Sequence, residues 1–432
     1  MSVSSPTIEN IVGRRVWDSR GRPTVEADVC LAGRIRGRAI APAGASRGSG
    51  EAVDLRDGGV ACGGFDVRRA VMHVNDEIAP ALRGHDVTDQ RGVDSILLAL
   101  DDTLDKGRLG ANAMIAVSMA SLWAAAQSCE VPLWRYLLGS APALMPMPEI
   151  QIFGGGAHAA RRVDIQDFMV IPVGASSVAE ALDWTADVYR AAGARMADAG
   201  CLRGVADEGG FWPAFKTNEQ ALDVLVGAIE DAGRVPGDEV ALSLDVAASE
   251  FFFDGRYRLA ADGREVDRDA LCDLLIDWID RYPIASIEDP LAEDDTEGMQ
   301  RFTAAVEDRV QVVGDDYLVT SAPRVEAAAR DRACNALLVK PNQAGTITET
   351  VAAVESARRA EFGTIVSARS GETEDVTIAH LAVGWRAGQI KVGSFSRSER
   401  MAKWNELLRI EEALGAATRF AGRAVVPSAR HR

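Results

Sequence analysis

The last two thirds of this chain repeat one cadence: a short apolar run, a polar or charged residue, then helical sequence. Val240-Ala-Leu-Ser-Leu244 runs into Asp245, Ile284-Ala-Ser-Ile287 into Glu288, and Val310-Gln-Val-Val313 into Gly314-Asp315. Ala336-Leu-Leu-Val339 precedes Lys340, Thr364-Ile-Val366 precedes Ser367 and Arg369, and Gln389-Ile390 precedes Lys391. Strands buried on both faces of a parallel sheet read as such runs. The charged residues stand 43, 27, 25, 29 and 22 positions apart. A (β/α)8 barrel needs roughly 30 residues per unit and keeps its chemistry at the C-terminal ends of its strands. The cadence therefore predicts an α/β chain with a barrel domain.

The first third reads differently. Thr24–Leu31 and Arg34–Ile40 alternate as strands do, Pro42–Gly64 is rich in glycine, and Val67–Leu82 and Ala111–Ser128 read as helices. Strands followed by helices predict a small α+β capping domain. At 432 residues two domains are expected. The stretch GSAPALMPMP, rich in proline and small residues, divides them into 1–138 and 139–432.

With 47 basic and 64 acidic residues the net charge is -17, which disfavours nucleic acid and anionic membranes as partners. The six cysteines form no CxxC pair and are expected to be buried free thiols in a reducing compartment. MSVSSPTIEN lacks a signal-peptide layout, and no apolar run suits a membrane helix. A cytoplasmic enzyme is expected.

Three acids at successive strand ends, Asp245, Glu288 and Asp315, would meet at one rim and offer hard oxygen ligands to Mg2+. Lys340 and Lys391 at later strand ends are poor bases while fully protonated. A neighbouring cation or a bound metal would depress one of them into a usable amine, whereas pairing with the metal-ligand acids is the alternative. Arg369-Ser370 suits phosphate, which a guanidinium meets bidentately. Gly44–Gly50 is expected to be a mobile surface loop, and Gly204–Gly210, with Asp207 and Glu208 before paired glycines, a turn of unusual dihedrals.

Ordered segments along nearly the whole chain resemble the enolase family. Val16–Glu26 resembles its opening strand, and Gly110–Ala113 and Val131–Tyr136 its capping domain. Ser286–Asp289, Gly314–Asp316, Lys340–Gln343, Ser367–Asp375 and Gly388–Lys391 resemble its barrel motifs. The resemblance implies the enolase-type barrel, with two Mg2+ per site when substrate is bound, held by Asp245, Glu288 and Asp315 and completed by Ser46 on a flexible loop. It implies Lys340 as the base at C2, Glu208 as the acid at the C3 hydroxyl, and Asp167 in a catalytic-site acid position. Lys391 would hold the substrate carboxylate, Arg369 and Ser370 the phosphate, and His158 would lie near the reacting carbon. A small phosphorylated substrate and a homodimer or higher homo-oligomer are implied with it.

The chain departs from the family at the site. The usual Ser-His-Arg-Ser-Gly reads Ser367–Gly371 with Ala368 for histidine, and Gln-Glu-Phe-Met reads Gln166–Met169 with the shorter Asp167. Arg47, Arg161 and Arg162 stand on the two loops expected to fold over the substrate. A pocket made larger and more cationic for a nucleotide-linked phosphonate is the expectation drawn from this. The reaction would then form carboxyphosphonoenolpyruvate, as an enolase-like enzyme of phosphonate antibiotic biosynthesis does. The alternatives are ordinary dehydration of 2-phosphoglycerate and a non-catalytic binding protein.

Overall fold

The computed structural model describes residues 6–32, 35–306 and 308–426. Arg34, at the start of the second expected strand, and Met1–Ser5 lie outside them. The chain opens with an antiparallel meander of β1 (Ile8–Trp17), β2 (Pro23–Leu31) and β3 (Arg36–Ile40). Helix Ala111–Ser128 covers it and is buried almost all round, as expected of a helix with no polar stripe. Its alanines allow a close approach: a Cβ on Gly37 of β3 would collide with the backbone of Ala120 and Ala124. On its other side the helix meets the turn Pro341–Ala344, directly after Lys340. The capping domain thus packs against the barrel rim. The expected helix Val67–Leu82 is present from Arg68 to Leu82, with a π-helical turn at Val74–Ile78.

The barrel is closed by eight strands: β4 (Met147–Gly154), β5 (Asp167–Ile171), β6 (Ala241–Asp245), β10 (Ile284–Glu288), β11 (Gln311–Gly314), β12 (Ala336–Val339), β13 (Gly363–Ser367) and β14 (Gln389–Ser394). A small sheet of β7 (Phe252–Phe253), β8 (Arg256–Leu259) and β9 (Arg264–Val266) is inserted after β6. The barrel is not a uniform eight-fold repeat. β5 runs antiparallel to both β4 and β6, and two helices, Val178–Asp198 and Asn218–Asp231, follow it before β6. From β6 onward the alternation is the one the cadence predicts. One contiguous apolar core spans cap and barrel.

All six cysteines are free. Cys272 and Cys334 are buried, but Cys62 and Cys129 are exposed, against expectation. Among the described residues no helix is long and apolar enough to cross a membrane.

Candidate active site

The rim gathers the side chains that the strand ends deliver. Asp245 ends β6 and pairs in register with Glu288, which ends β10. Asp315 and Lys340 each follow their strand immediately, and Arg369-Ser370 lie just past β13. Lys391 sits inside β14 rather than at its end, beside Ser367 and Glu149. Asp167 reaches the same rim from the opposite direction, as the first residue of the reversed β5.

Ser46, His158, Asp167, Glu208, Asp245, Lys340, Arg369, Ser370 and Lys391 line one small cavity of about 20 Å3. Gln166 and Ala368 line it as well. A larger recess of about 540 Å3, lined by Ser49, Glu293 and Arg324, opens on the surface and lacks this convergence of acids and amines. The smaller cavity is therefore the candidate site.

The charges are paired across it. Lys391 Nζ stands 2.7 Å from Glu288 Oε2, 3.0 Å from Asp245 Oδ2 and 3.7 Å from Asp167 Oδ2. Lys340 Nζ donates to Asp315 Oδ2, whose other oxygen accepts from Gln343 Nε2 at 2.9 Å. Burial works against both ammonium groups, yet the facing carboxylates outweigh it. Asp315 raises Lys340 above the usual lysine range, and Asp245 with Glu288 raises Lys391 well above it. In this arrangement both lysines are paired with acids of the expected metal-ligand set. Burial, reinforced by Asp245, pushes Glu288 well above the carboxylate range. Burial alone would also raise Asp315, but the Lys340 ammonium holds it down.

The opposite wall carries His158, Asp167 and Glu208. His158 Nδ1 lies 2.9 Å from Asp167 Oδ1, and Nε2 lies 3.7 Å from Glu208 Oε1. Glu208 is set by the Gly204–Gly210 loop, where Ser394 N donates to Glu208 O at 2.9 Å. Gly209 takes φ +95°, where a Cβ would also strike Ser396.

The Gly44–Gly50 segment is not a free surface loop. Ala43 bridges Gly371, Arg369 Nη2 donates to Ser46 O at 3.1 Å, and Gly48 is buried. A Cβ on Gly44 would collide with the Arg369 guanidinium, so glycine is required for the backbone to close down there. Both Arg369 Nη atoms donate to Glu51, each at 3.0 Å.

The donor set fits Mg2+. Its members are carboxylate and amide oxygens, the hard ligands this ion takes. Glu288 Oε1, Asp167 Oδ2 and Gln166 Oε1 are buried without a hydrogen-bond partner, an unfavourable state that an additional ligand-binding cation relieves. Asp315, Asp289 and Asp316 bring ligand atoms within 4.8 Å of one another, while Asp245 and Glu288 are bridged by the Lys391 ammonium.

Arg47, Arg161 and Arg162 do not join the cavity: all three are exposed. Arg161 is spent on an ion pair with Glu250 at 2.7 Å. The pocket is therefore not made more cationic by these loops. Full solvation of a guanidinium is cheaper than burial without a partner, and Ala160 and Arg161, both at positive φ, turn the chain there.

Two descriptions of known families match this chain: "Enolase, N-terminal domain" over residues 8–137 and "Enolase, C-terminal TIM barrel domain" over residues 142–429. The chain belongs to the enolase family, a family of Mg2+-using lyases. Among its relatives is the protein named Enolase 1 of Desulfitobacterium hafniense (strain Y51), 47% identical over 425 residues, which are 98% of this chain and 97% of that one. Family members bind small phosphorylated substrates and often form homodimers.

Sequence reading did not single out Glu51, Gln166 or Gln343 as site residues. Gln166 adjoins Asp167 and Gln343 closes the Lys340–Gln343 motif, so adjacency was an available signal. Glu51 carries no such signal, because its partner lies 318 positions away.

Proposed function

We propose that this chain dehydrates 2-phosphoglycerate to phosphoenolpyruvate with Mg2+, as a homodimer. The observation that carries the reading is that Lys340 and Glu208 line one cavity together with Lys391, Arg369 and Ser370. A base, an acid and cationic groups for two anions are what an α-proton abstraction followed by loss of a β-hydroxyl requires.

Asp245, Glu288 and Asp315, with Ser46 completing the set, would hold two Mg2+, which would supply positive charge to balance the charge that develops on the substrate. Lys340, in its neutral form, takes the proton from C2. Glu208 gives a proton to the C3 hydroxyl, which leaves as water, and the C2–C3 double bond forms. Lys391 holds the carboxylate, and Arg369 and Ser370 hold the phosphoryl group. Asp167 fixes the His158 imidazole, whose Nε2 faces Glu208 Oε1 at 3.7 Å. Ser46 and its neighbours exclude bulk water, which strengthens each of these interactions.

Formation of carboxyphosphonoenolpyruvate from a nucleotide-activated phosphonoformate has weaker support. Ala368, lining the cavity where the family usually has histidine, favours it. The exposed positions of Arg47, Arg161 and Arg162 weigh against a nucleotide-bearing partner.

The test is direct. Purified protein with Mg2+ and 2-phosphoglycerate alone should produce phosphoenolpyruvate, followed by the ultraviolet absorbance of the enol. Lys340→Ala should lower kcat by on the order of 1000-fold. No turnover of 2-phosphoglycerate, together with turnover of the nucleotide-linked phosphonate, would replace this reading with the second one.

A further inference from the structure

We propose that Arg20, on the turn between β1 and β2 of the capping domain, is a positioning residue that sets Ser370 as a hydrogen-bond donor to the substrate's phosphoryl group. This rests on the reading of Ser370 as part of the phosphoryl subsite, and it adds a cap residue to that subsite.

Arg20 is almost fully buried, with 6% of its side chain exposed. Its Nη1 donates to Ser370 Oγ at 3.0 Å, and its Nη2 donates to Ala43 O at 2.8 Å and to Asp18 Oδ2 at 3.4 Å. A hydroxyl has one proton and two lone pairs, whereas a guanidinium can only donate. Arg20 therefore occupies a lone pair of Ser370 Oγ and forbids the hydroxyl proton from pointing back toward the cap. Among the described residues no protein acceptor receives that proton, and Ser370 lines the cavity. The proton is left for an anionic oxygen in the cavity.

The backbone beneath is fixed from two sides. Ser370 O accepts from Ser19 Oγ at 3.3 Å and from Arg400 Nη2 at 2.6 Å, while Arg400 Nη1 donates to Arg369 O at 2.6 Å. With the main chain held, the Arg20 contact decides the direction of the hydroxyl. Asp18 fixes the turn that presents Arg20, since its Oδ1 accepts from Arg20 N at 2.9 Å and from Arg22 N at 2.8 Å. Arg20 Nε remains buried with no partner, while its two Nη atoms carry the contacts to Ser370, Ala43 and Asp18. A lysine carries its three donors on one nitrogen and so does not reproduce the two separate Nη positions from which Arg20 reaches Ser370 on one side and Ala43 and Asp18 on the other.

The experiment is a double-mutant cycle of Arg20→Met and Ser370→Ala, with Arg20→Lys as a milder variant. It is read by steady-state kinetics on 2-phosphoglycerate and by the affinity for inorganic phosphate from thermal shifts. Arg20→Met should raise KM and weaken phosphate about tenfold while kcat changes much less and Mg2+ affinity stays as it was. Ser370→Ala should cost about the same, and the double variant no more than the larger single effect, because one group acts through the other. Arg20→Lys should fall in between, and it carries the test if Arg20→Met does not fold. Phosphate affinity within twofold of the parent in both Arg20 variants, or effects that multiply in the double variant, would overturn the proposal. Inorganic phosphate reads the subsite without turnover, so failure of the parent on 2-phosphoglycerate counts against the proposed function and not against Arg20.

Discussion

Asp167, the first residue of the one reversed barrel strand, pairs in register with Asp245, the last residue of its neighbour. Reversal is what lets the start of one strand meet the end of another at a single rim. It also places the Asp167 carboxylate 2.9 Å from His158 Nδ1. Burial disfavours a charged imidazole, but the carboxylates of Asp167 and Glu208 outweigh it and push His158 from 6.5 to about 9. Asp167, which burial alone would raise, is held at about 2 by His158 and Lys391. A histidine raised on folding adds stability that is complete below about pH 6.5 and is lost as pH rises through 9. Without Mg2+, unfolding free energy should fall across that window, and less steeply in Asp167→Asn. The check is denaturant unfolding at several pH values with an NMR titration of His158. Titration of His158 near 6.5 in the parent would sink this account.

Mg2+ should stabilise the folded chain. The buried Glu288 Oε1 has no hydrogen-bond partner, and burial with Asp245 nearby raises the Glu288 carboxyl. A divalent cation removes both penalties. At a concentration 100 times its dissociation constant, one bound ion adds about 2.7 kcal/mol. Differential scanning calorimetry should show a higher Tm with Mg2+ and its reversal by a chelator. Glu288→Gln should abolish most of the shift, since a neutral amide is a weaker ligand. An unchanged Mg2+ response in that variant would remove Glu288 from the metal set.

The part of the site that could be read in the sequence is the part built one strand at a time. Asp245, Glu288, Asp315 and Lys340 each follow an apolar run, so pattern alone placed them at a rim. β4 and β5 gave no such signal. Glu149 and Gln151 face inward and are buried, which breaks the apolar run of β4. Asp167 precedes its run instead of ending it. Pairings between distant segments were also hidden: Arg20 meets Ser370 across 350 positions, and no local pattern records that. The three loop arginines misled because local sequence gives charge but not direction.

Asp94 should act as a bolt between cap and barrel. It is fully buried, and its two carboxylate oxygens accept from Ser118 Oγ at 2.6 Å, Gln90 Nε2 at 3.1 Å, Thr348 N at 2.8 Å and Thr348 Oγ1 at 2.6 Å. Thr348 opens the barrel helix Ile347–Arg359. Asp94→Ala leaves the buried Ser118 hydroxyl and the half-buried donors of Gln90 and Thr348 without this acceptor and should cost about 3 kcal/mol. Activity at low temperature should change little, because Asp94 does not touch the cavity. Chemical denaturation with a parallel activity assay checks both halves, and a loss below about 0.5 kcal/mol would deny the bolt.

Arg161 offers the sharpest separation between the two catalytic readings. Its side chain is 59% exposed and its guanidinium pairs with Glu250 at 2.7 Å, outside the cavity. Exposed ion pairs contribute about 0–1 kcal/mol, so Arg161→Ala should leave stability nearly unchanged. If the substrate is 2-phosphoglycerate held by Lys391, Arg369 and Ser370, its KM in Arg161→Ala should stay within about twofold of the parent, a change of roughly 0.4 kcal/mol in binding. If a larger anion reached over the rim to Arg161, the variant would lose affinity for it by tenfold or more, as removal of a charge-assisted contact does. Titration calorimetry with 2-phosphoglycerate and with the nucleotide-linked phosphonate, each with Mg2+, distinguishes these outcomes. Tight binding of the phosphonate that depends on Arg161 would restore the second reading, whereas binding of 2-phosphoglycerate indifferent to Arg161 leaves the cavity residues to define the substrate.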